Sequence, residues 1–198
     1  MIRRINLYAG PGTGKSTTAA WLFSMLKRRS FSVELVQEIV KGWAIERKPI
    51  KPFDQAVLFG KQLNSEYHNL AHGIDLVVTD SPILLSSVYS DMNNPELGFG
   101  ASFKQIAVEF EKQFPAINVI LRRNVDKHPY NTQGRYQTLE QAGHLDRIIE
   151  TAVRDTCPMH SIVTVEVEQD QLLLDIILGR LVGSAIKDCT NEPYTPRC

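Results

Sequence analysis

One stretch, Ala9-Gly10-Pro11-Gly12-Thr13-Gly14-Lys15-Ser16-Thr17, constrains this chain more than any other. Backbone N–H groups of such a loop turn inward and cradle phosphate oxygens. A Cβ at its glycines would obstruct either the turn or the phosphate. Lys15 has the reach and charge for β and γ phosphates, and Ser16 offers a hydroxyl to Mg2+. Ile5-Asn6-Leu7-Tyr8 reads as a strand before the loop, and Thr17 to Lys27 as a helix after it. The loop therefore sits at a positive helix end. Gly10, Pro11, Gly12, Thr13, Gly14, Lys15, Ser16 and Thr17 are the expected nucleotide-binding residues. The Gly-x-Gly-x-Gly spacing also occurs in dinucleotide folds. Here Lys15-Ser16 stand where the next glycine of that fingerprint would fall.

A chain of 198 residues with 43% hydrophobic content can bury one substantial core, so a single domain is expected. Lys and Arg number 22, Asp and Glu also 22, and this balance gives no general support for nucleic-acid or membrane binding. Cys157, Cys189 and Cys198 form an odd set without C-x-x-C spacing, as expected of reduced thiols in a cytosol-like compartment. No apolar run reaches transmembrane length. Met1-Ile2-Arg3-Arg4 leads straight into the first strand, so no signal peptide is expected and the expected location is cytoplasmic.

Strands are expected at 2–9, 33–36, 74–79, 117–121 and 162–167, with Arg3 and Arg4 at the wet end of the first. Helices are expected at 18–28, 39–47, 53–71, 83–90, 101–113, 138–153 and 172–181. Glu38 follows the second strand, at the sheet edge where open α/β folds carry ligands. It suits a transferred proton or the metal, or is an ordinary first-turn helix glutamate. Asp80 ends the apolar strand Ile74–Thr79, where a second holder of Mg2+ belongs. The alternative is an N-cap aspartate.

In the helix 53–71, Phe53, Val57, Leu63, Tyr67 and Leu70 form the expected buried stripe. Gln55, Phe59 and Gln62 share another face. They either read and stack a nucleobase or are a core aromatic beside solvent-facing glutamines. His68 and His72 have metal-ligand spacing but no evident third ligand. Asp91 to Gly100 reads as a loop placed to cover a substrate. Arg122, Arg123 and Arg135 bracket a cation-rich segment, 122–135, suited to closing on a polyphosphate. Residues 184–198 contain Pro193 and Pro196 and read as a loosely packed tail.

The phosphate loop, Glu38, Asp80-Ser81-Pro82 and Tyr130-x-x-x-Gly134-Arg135 together resemble the P-loop nucleoside and nucleotide kinases. NadR-like kinases and small phage-encoded kinases are the nearest in character. The resemblance spans most of residues 1–181. It implies a three-layer α/β/α fold with a mostly parallel five-stranded sheet, in one domain over 1–183. It implies an ATP- and Mg2+-dependent phosphotransferase acting on a small nucleoside or nucleotide. Glu38 matches the place of a glutamate that deprotonates the acceptor hydroxyl, and Arg122, Arg123 and Arg135 match lid arginines. Asp80-Ser81-Pro82 lacks the arginine that follows in the deoxynucleoside kinases, so their style of sugar recognition does not carry over. Phage relatives include enzymes that phosphorylate modified pyrimidines such as 5-hydroxymethyluracil within DNA. A nucleotide-dependent switch or assembly ATPase is the non-kinase alternative. No GTPase Asn-Lys-x-Asp pattern is present. Oligomeric state is left open, a dimer included.

Overall fold

The computed structural model describes residues 1–124 and 138–191. Five strands, β1 (Arg4–Tyr8), β2 (Val33–Val36), β3 (Leu76–Thr79), β4 (Ala116–Arg122) and β5 (Ile162–Glu166), form one sheet in the order β2-β3-β1-β4-β5. Every pairing is parallel. Parallel neighbours need crossovers, and the helices that supply them cover both faces. The strands accordingly read as continuous apolar runs: Ile5, Leu7, Val77, Val78, Ile117 and Val119 are all fully buried.

The helices are α1 (Lys15–Lys27), α2 (Val40–Ile45), α3 (Asp54–Ala71), α4 (Leu84–Asn93), α5 (Phe99–Gln113), α6 (Leu139–Thr156) and α7 (Asp170–Asn191). One core lies between the sheet and α1 and α7, built on Ala19, Leu22, Leu26, Leu173, Leu174 and Ile177. The other lies under α3 to α6, built on Phe59, Leu84, Phe103, Phe110, Leu145 and Ile149. The fold is thus the expected three-layer α/β/α arrangement, with a sheet parallel throughout. Thr138 opens α6 with a full capping box: its hydroxyl accepts from Gln141 N, and the Gln141 side chain accepts from Thr138 N.

Four expectations need correction. Arg4 is not at a wet end. It is 1% exposed, and its guanidinium donates to Glu66 at 3.1 Å, to Glu111 at 2.5 Å and to the Phe114 carbonyl at 2.8 Å. It also lies over the Phe110 ring at 4.5 Å. A fork of fixed donors satisfied on several sides is the form in which an arginine can be buried.

The buried stripe of α3 is the second correction. Phe53, Val57 and Tyr67 are exposed, while Gln55, Leu58, Phe59, Gln62, Glu66 and Leu70 are buried. That face must present Glu66 to Arg4, so its register is set by a charge pair rather than by apolar periodicity. Third, Asp91 to Gly100 is not a simple loop. Helix α4 runs to Asn93, a 3-10 turn covers Pro95–Leu97, and α5 starts at Phe99 after Gly98 turns at φ 64°. Fourth, α7 continues to Asn191, and Ser184 on it accepts from the Ile2 backbone N–H at 3.1 Å.

Glu66 is fully buried, and burial pushes its carboxyl up while Arg4 opposes the shift. Arg4→Ala should therefore cost about 3–5 kcal/mol at neutral pH, the usual cost of leaving a buried charge unpaired. An orphaned carboxyl can regain neutrality by taking a proton, so the deficit should shrink as pH falls toward 5. Urea midpoints at two pH values check both the size and the sign; a deficit independent of pH would show that the pair is not the cause.

Candidate functional site

The phosphate loop connects β1 to α1, at the carboxyl edge of the sheet. Gly12 and Gly14 adopt φ values of 76° and 104°, a left-handed backbone that explains glycine at both. Gly10 has a different reason. A Cβ there would lie 2.5 Å from Asp146 Oδ1 and 2.8 Å from the Ala142 carbonyl oxygen. The close neighbour is α6, not the turn or a phosphate. Asp146 uses that proximity: its Oδ1 accepts from Gly10 N at 2.7 Å. Asp146 also receives Arg123 Nε at 2.9 Å, while Arg123 Nη2 donates to the Pro11 carbonyl at 2.8 Å. Asp146 and Arg123 thus splint the loop from the α6 side. Asp146 carries no signal in the sequence, because its partner lies 136 positions away.

Inside the loop, Thr13 Oγ1 donates to the Gly10 carbonyl at 3.0 Å. Lys15 is 7% exposed, and its Nζ donates to the Ala9 carbonyl at 2.8 Å. Its ammonium is held at the loop itself, ready to exchange a carbonyl for a phosphate oxygen. Ser16 Oγ donates to Asp80 Oδ2 at 2.6 Å. Asp80 is 3% exposed, its backbone N–H donates to the Val36 carbonyl, and its Oδ1 has no hydrogen-bond partner. It is not an N-cap: α4 follows Ile83, without a side-chain cap. A buried carboxylate oxygen with nothing to accept from is unfavourable unless a cation or donor arrives. With the Ser16 hydroxyl beside it, this is a donor set that fits Mg2+, a hard ion taking a carboxylate, a hydroxyl and phosphate oxygens.

Glu38 precedes α2 rather than lying in it. Burial pushes its carboxyl up, nearby Lys15 pulls it down, and Asp80 pushes it up again, with the net shift upward. Lys41 and the Ser81 hydroxyl also favour the charged form.

A cavity of about 250 Å3 runs from the loop past Glu38. Gly12, Gly14, Lys15, Ser16 and Thr17 line one end, and Gln55, Leu58, Gln62, Leu85, Tyr89 and Asn93 line the rest, with α2 contributing Val40, Lys41 and Ala44. Gln62 is 5% exposed, and Glu66, one turn along α3, is held toward its charged form by the Gln62 side chain. The two glutamines expected to face a substrate or solvent are therefore buried cavity walls. Phe59 is not with them. It stacks on Phe103 at 4.3 Å between centroids, within 8° of parallel, inside the core.

The three arginines separate. Arg123 touches the loop. Arg122 points to the surface of α6 and pairs with Glu150 at 3.0 Å, which also holds Arg154. Arg135 lies outside the described residues, as do Tyr130 and Gly134. His68 and His72 pack ring to ring at 4.2 Å, and among the described residues no cluster of three metal-ligating side chains occurs. Among those residues, no helix is long and apolar enough to cross a membrane.

Because Gly10 is confined by backbone as well as side chain, Gly10→Ala should lower stability by about 1–3 kcal/mol, the cost of forcing an extra methyl into a packed site. Asp146→Ala in the same chain should recover only part of that, since the Ala142 carbonyl remains. Thermal melts of the single and double variants decide this; complete recovery would make Asp146 the whole obstacle.

A family model described as an AAA domain matches residues 4–171, from the first residue of β1 to the start of α7. No curated protein matches the chain. The matched span contains the phosphate loop, Asp80, Asp146 and the whole sheet, and the chain belongs to this AAA-domain family of P-loop nucleotide-binding proteins.

Proposed function

We propose that the protein is a kinase that transfers the γ-phosphoryl group of ATP to a nucleoside, a nucleotide or a related small molecule. One observation carries this reading: the cavity does not stop at the phosphate loop. It continues past Glu38 to a walled region where the Gln55 and Gln62 side chains are buried. Transfer to water needs no such chamber. Transfer to a bound acceptor does, because the reacting atoms must be held together and water excluded. Buried amides along such a wall favour a ligand that brings hydrogen-bonding groups of its own. The NadR-like and phage kinases noted above are the kinases this reading places it beside.

The residues take distinct roles. Loop N–H groups and Lys15 bind the donor phosphates. Ser16 and Asp80 would hold Mg2+, which when bound supplies charge neutralisation at the β and γ oxygens. Glu38 accepts the proton of the acceptor hydroxyl as the phosphoryl arrives. Its upward shift keeps it a stronger base than an ordinary glutamate. Gln55 and Gln62 orient the acceptor. Arg123 positions the loop through Pro11 and Asp146. Arg135 is the remaining candidate for a phosphate clamp.

A second reading, an acceptor base carried on a DNA strand, is favoured by one feature. Exposed Lys41, Arg47, Lys48 and Lys51 lie on the segment that walls the cavity, with Lys48 over the Trp43 ring at 3.4 Å. Cations beside an aromatic suit a single strand.

The deciding experiment offers γ-labelled ATP with nucleosides, nucleotides and DNA containing modified pyrimidines. Transfer to a small acceptor supports the main reading. Transfer only to polymer, weakening steeply with salt, supports the second. Hydrolysis alone, unaffected by any acceptor, would leave an ATPase switch. Lys15→Ala should lower transfer by at least about 10^2-fold, as expected for a lost transition-state cation. Asp80→Asn should raise the Mg2+ requirement and impair hydrolysis and transfer alike.

Glu38→Gln should spare ATP binding and lower transfer. Its pH behaviour is also fixed. A carboxyl whose pKa is raised on folding contributes stability at acid pH that is lost as pH climbs through the raised value. Glu38→Gln should therefore stabilise the fold above that value, and remove the acid limb from the kcat profile. Melting curves across pH and single-turnover rates test both; a variant that keeps the acid limb would show that another group is the base.

A further inference from the structure

A second cavity, of about 210 Å3, lies under α4, α5 and the end of α6, and shares no wall residue with the cavity at the phosphate loop. Its walls are largely apolar, with Leu84 and Ala107 among them. Asn6, Tyr8 and Thr156 also line it, as do the charged side chains of Arg4, Glu111 and Lys112 and the Cys157 thiol. Asn6 is 1% exposed, and its Oδ1 has no hydrogen-bond partner; Thr156 Oγ1 has none either.

The orientation of Asn6 is not arbitrary. Asn118 Nδ2 donates to Glu111 Oε1 and to Ser161 Oγ, both at 3.0 Å. A carboxylate only accepts, so the Asn118 amide cannot be turned round. Its Oδ1 must face Asn6, which answers with Nδ2 at 2.9 Å. Asn6 Oδ1 is therefore left as a fixed, buried acceptor at the wall of an open space. The charges nearby do not compete for a ligand, because Arg4 is already paired with Glu66 and Glu111, and Lys112 with Glu109. Cys157 adds no charge: burial pushes its thiol up to about 12.

We propose that this cavity is a ligand site for a small, uncharged, ring-sized molecule carrying one N–H or O–H donor. Apolar walls supply the affinity, Asn6 Oδ1 accepts the donor, and Thr156 Oγ1 adapts to either role. A charged ligand is disfavoured, since Arg4, Glu111 and Lys112 on its walls are already held in ion pairs. The space exceeds what a single bicyclic ring needs, and an apolar protein cavity near 150 Å3 is known to take benzene.

Indole is a suitable probe, with indene as its partner lacking the N–H. Indene is the more apolar of the two, so non-specific partition favours it. At this site indole should bind about fivefold to tenfold more tightly, the worth of one buried hydrogen bond. Titration of the full chain, followed by amide NMR shifts, should place the changes at Tyr8, Ala107 and Thr156. Ala107→Met fills the space from a helix position and should abolish binding while the chain still binds nucleotide. Should that variant fail to fold, Val108→Ile narrows the same cavity and carries the same expectation. Absence of shifts at millimolar indole would overturn the proposal, because the cavity would then hold only water. Equal or tighter binding of indene, shifts elsewhere, or undiminished binding by the filled variant would overturn it too.

Discussion

Strand β1 is the constraint on which everything else in this molecule depends. It is paired in parallel on both sides, so both of its edges and both of its faces are committed. Its register with β3 sets Asn6 opposite Thr79. Asp80, one residue further, is thereby delivered beside the loop, and Ser16 meets it directly. Its register with β4 runs from Arg4 and Ala116 to Tyr8 and Ile120, which carries Arg123 to the same edge. A slip of one residue on either side would move a carboxylate or a guanidinium off the loop and invert every side chain across the sheet.

The amino end of the same strand is held by charge. Arg4 ties α3 through Glu66 and α5 through Glu111. Glu66 also accepts from Ile83 N at 3.2 Å, just after the Asp80-Ser81-Pro82 turn. One buried carboxylate therefore fixes the strand, the helix that bears Gln62, and the start of α4. Packing such a group costs desolvation, and a hydrophobic replacement of the whole cluster could be as stable. What apolar packing would not supply is a register: a fork with fixed donors admits one arrangement of its acceptors.

Much of this was legible in the sequence. The phosphate loop, its flanking strand and helix, and Asp80 at the end of an apolar strand are local patterns, and local patterns carry their own physics. The span Val33–Val36 is found where expected for the same reason. The inward face of α3 departs from its apolar pattern: it carries Gln55, Gln62 and Glu66, while Phe53, Val57 and Tyr67 face out. Apolar periodicity locates a buried face only when burial is apolar, and here the cavity and the Arg4 pair both demand polar groups inside. The roles of Arg4, Asp146 and Arg123 were not legible, because each is defined by partners from other elements. Arg122 and Arg123 are adjacent in sequence and look alike; only the end of β4 sends one to Glu150 and the other to Pro11.

The clasp between Gly10 and Asp146 also orders events in time. A chain made from its amino end presents the phosphate loop early, yet the bond to Gly10 N cannot form until α6 has emerged and docked. The same holds for Arg4, which must wait for Glu66 and then for Glu111. These are long loop closures, with entropy to be lost before any contact is gained. The nascent protein therefore cannot carry a finished nucleotide site while most of it is still being synthesised. Competence to bind a nucleotide arrives late and together with the fold, so a truncated product would lack the loop's final geometry despite containing every residue of the motif.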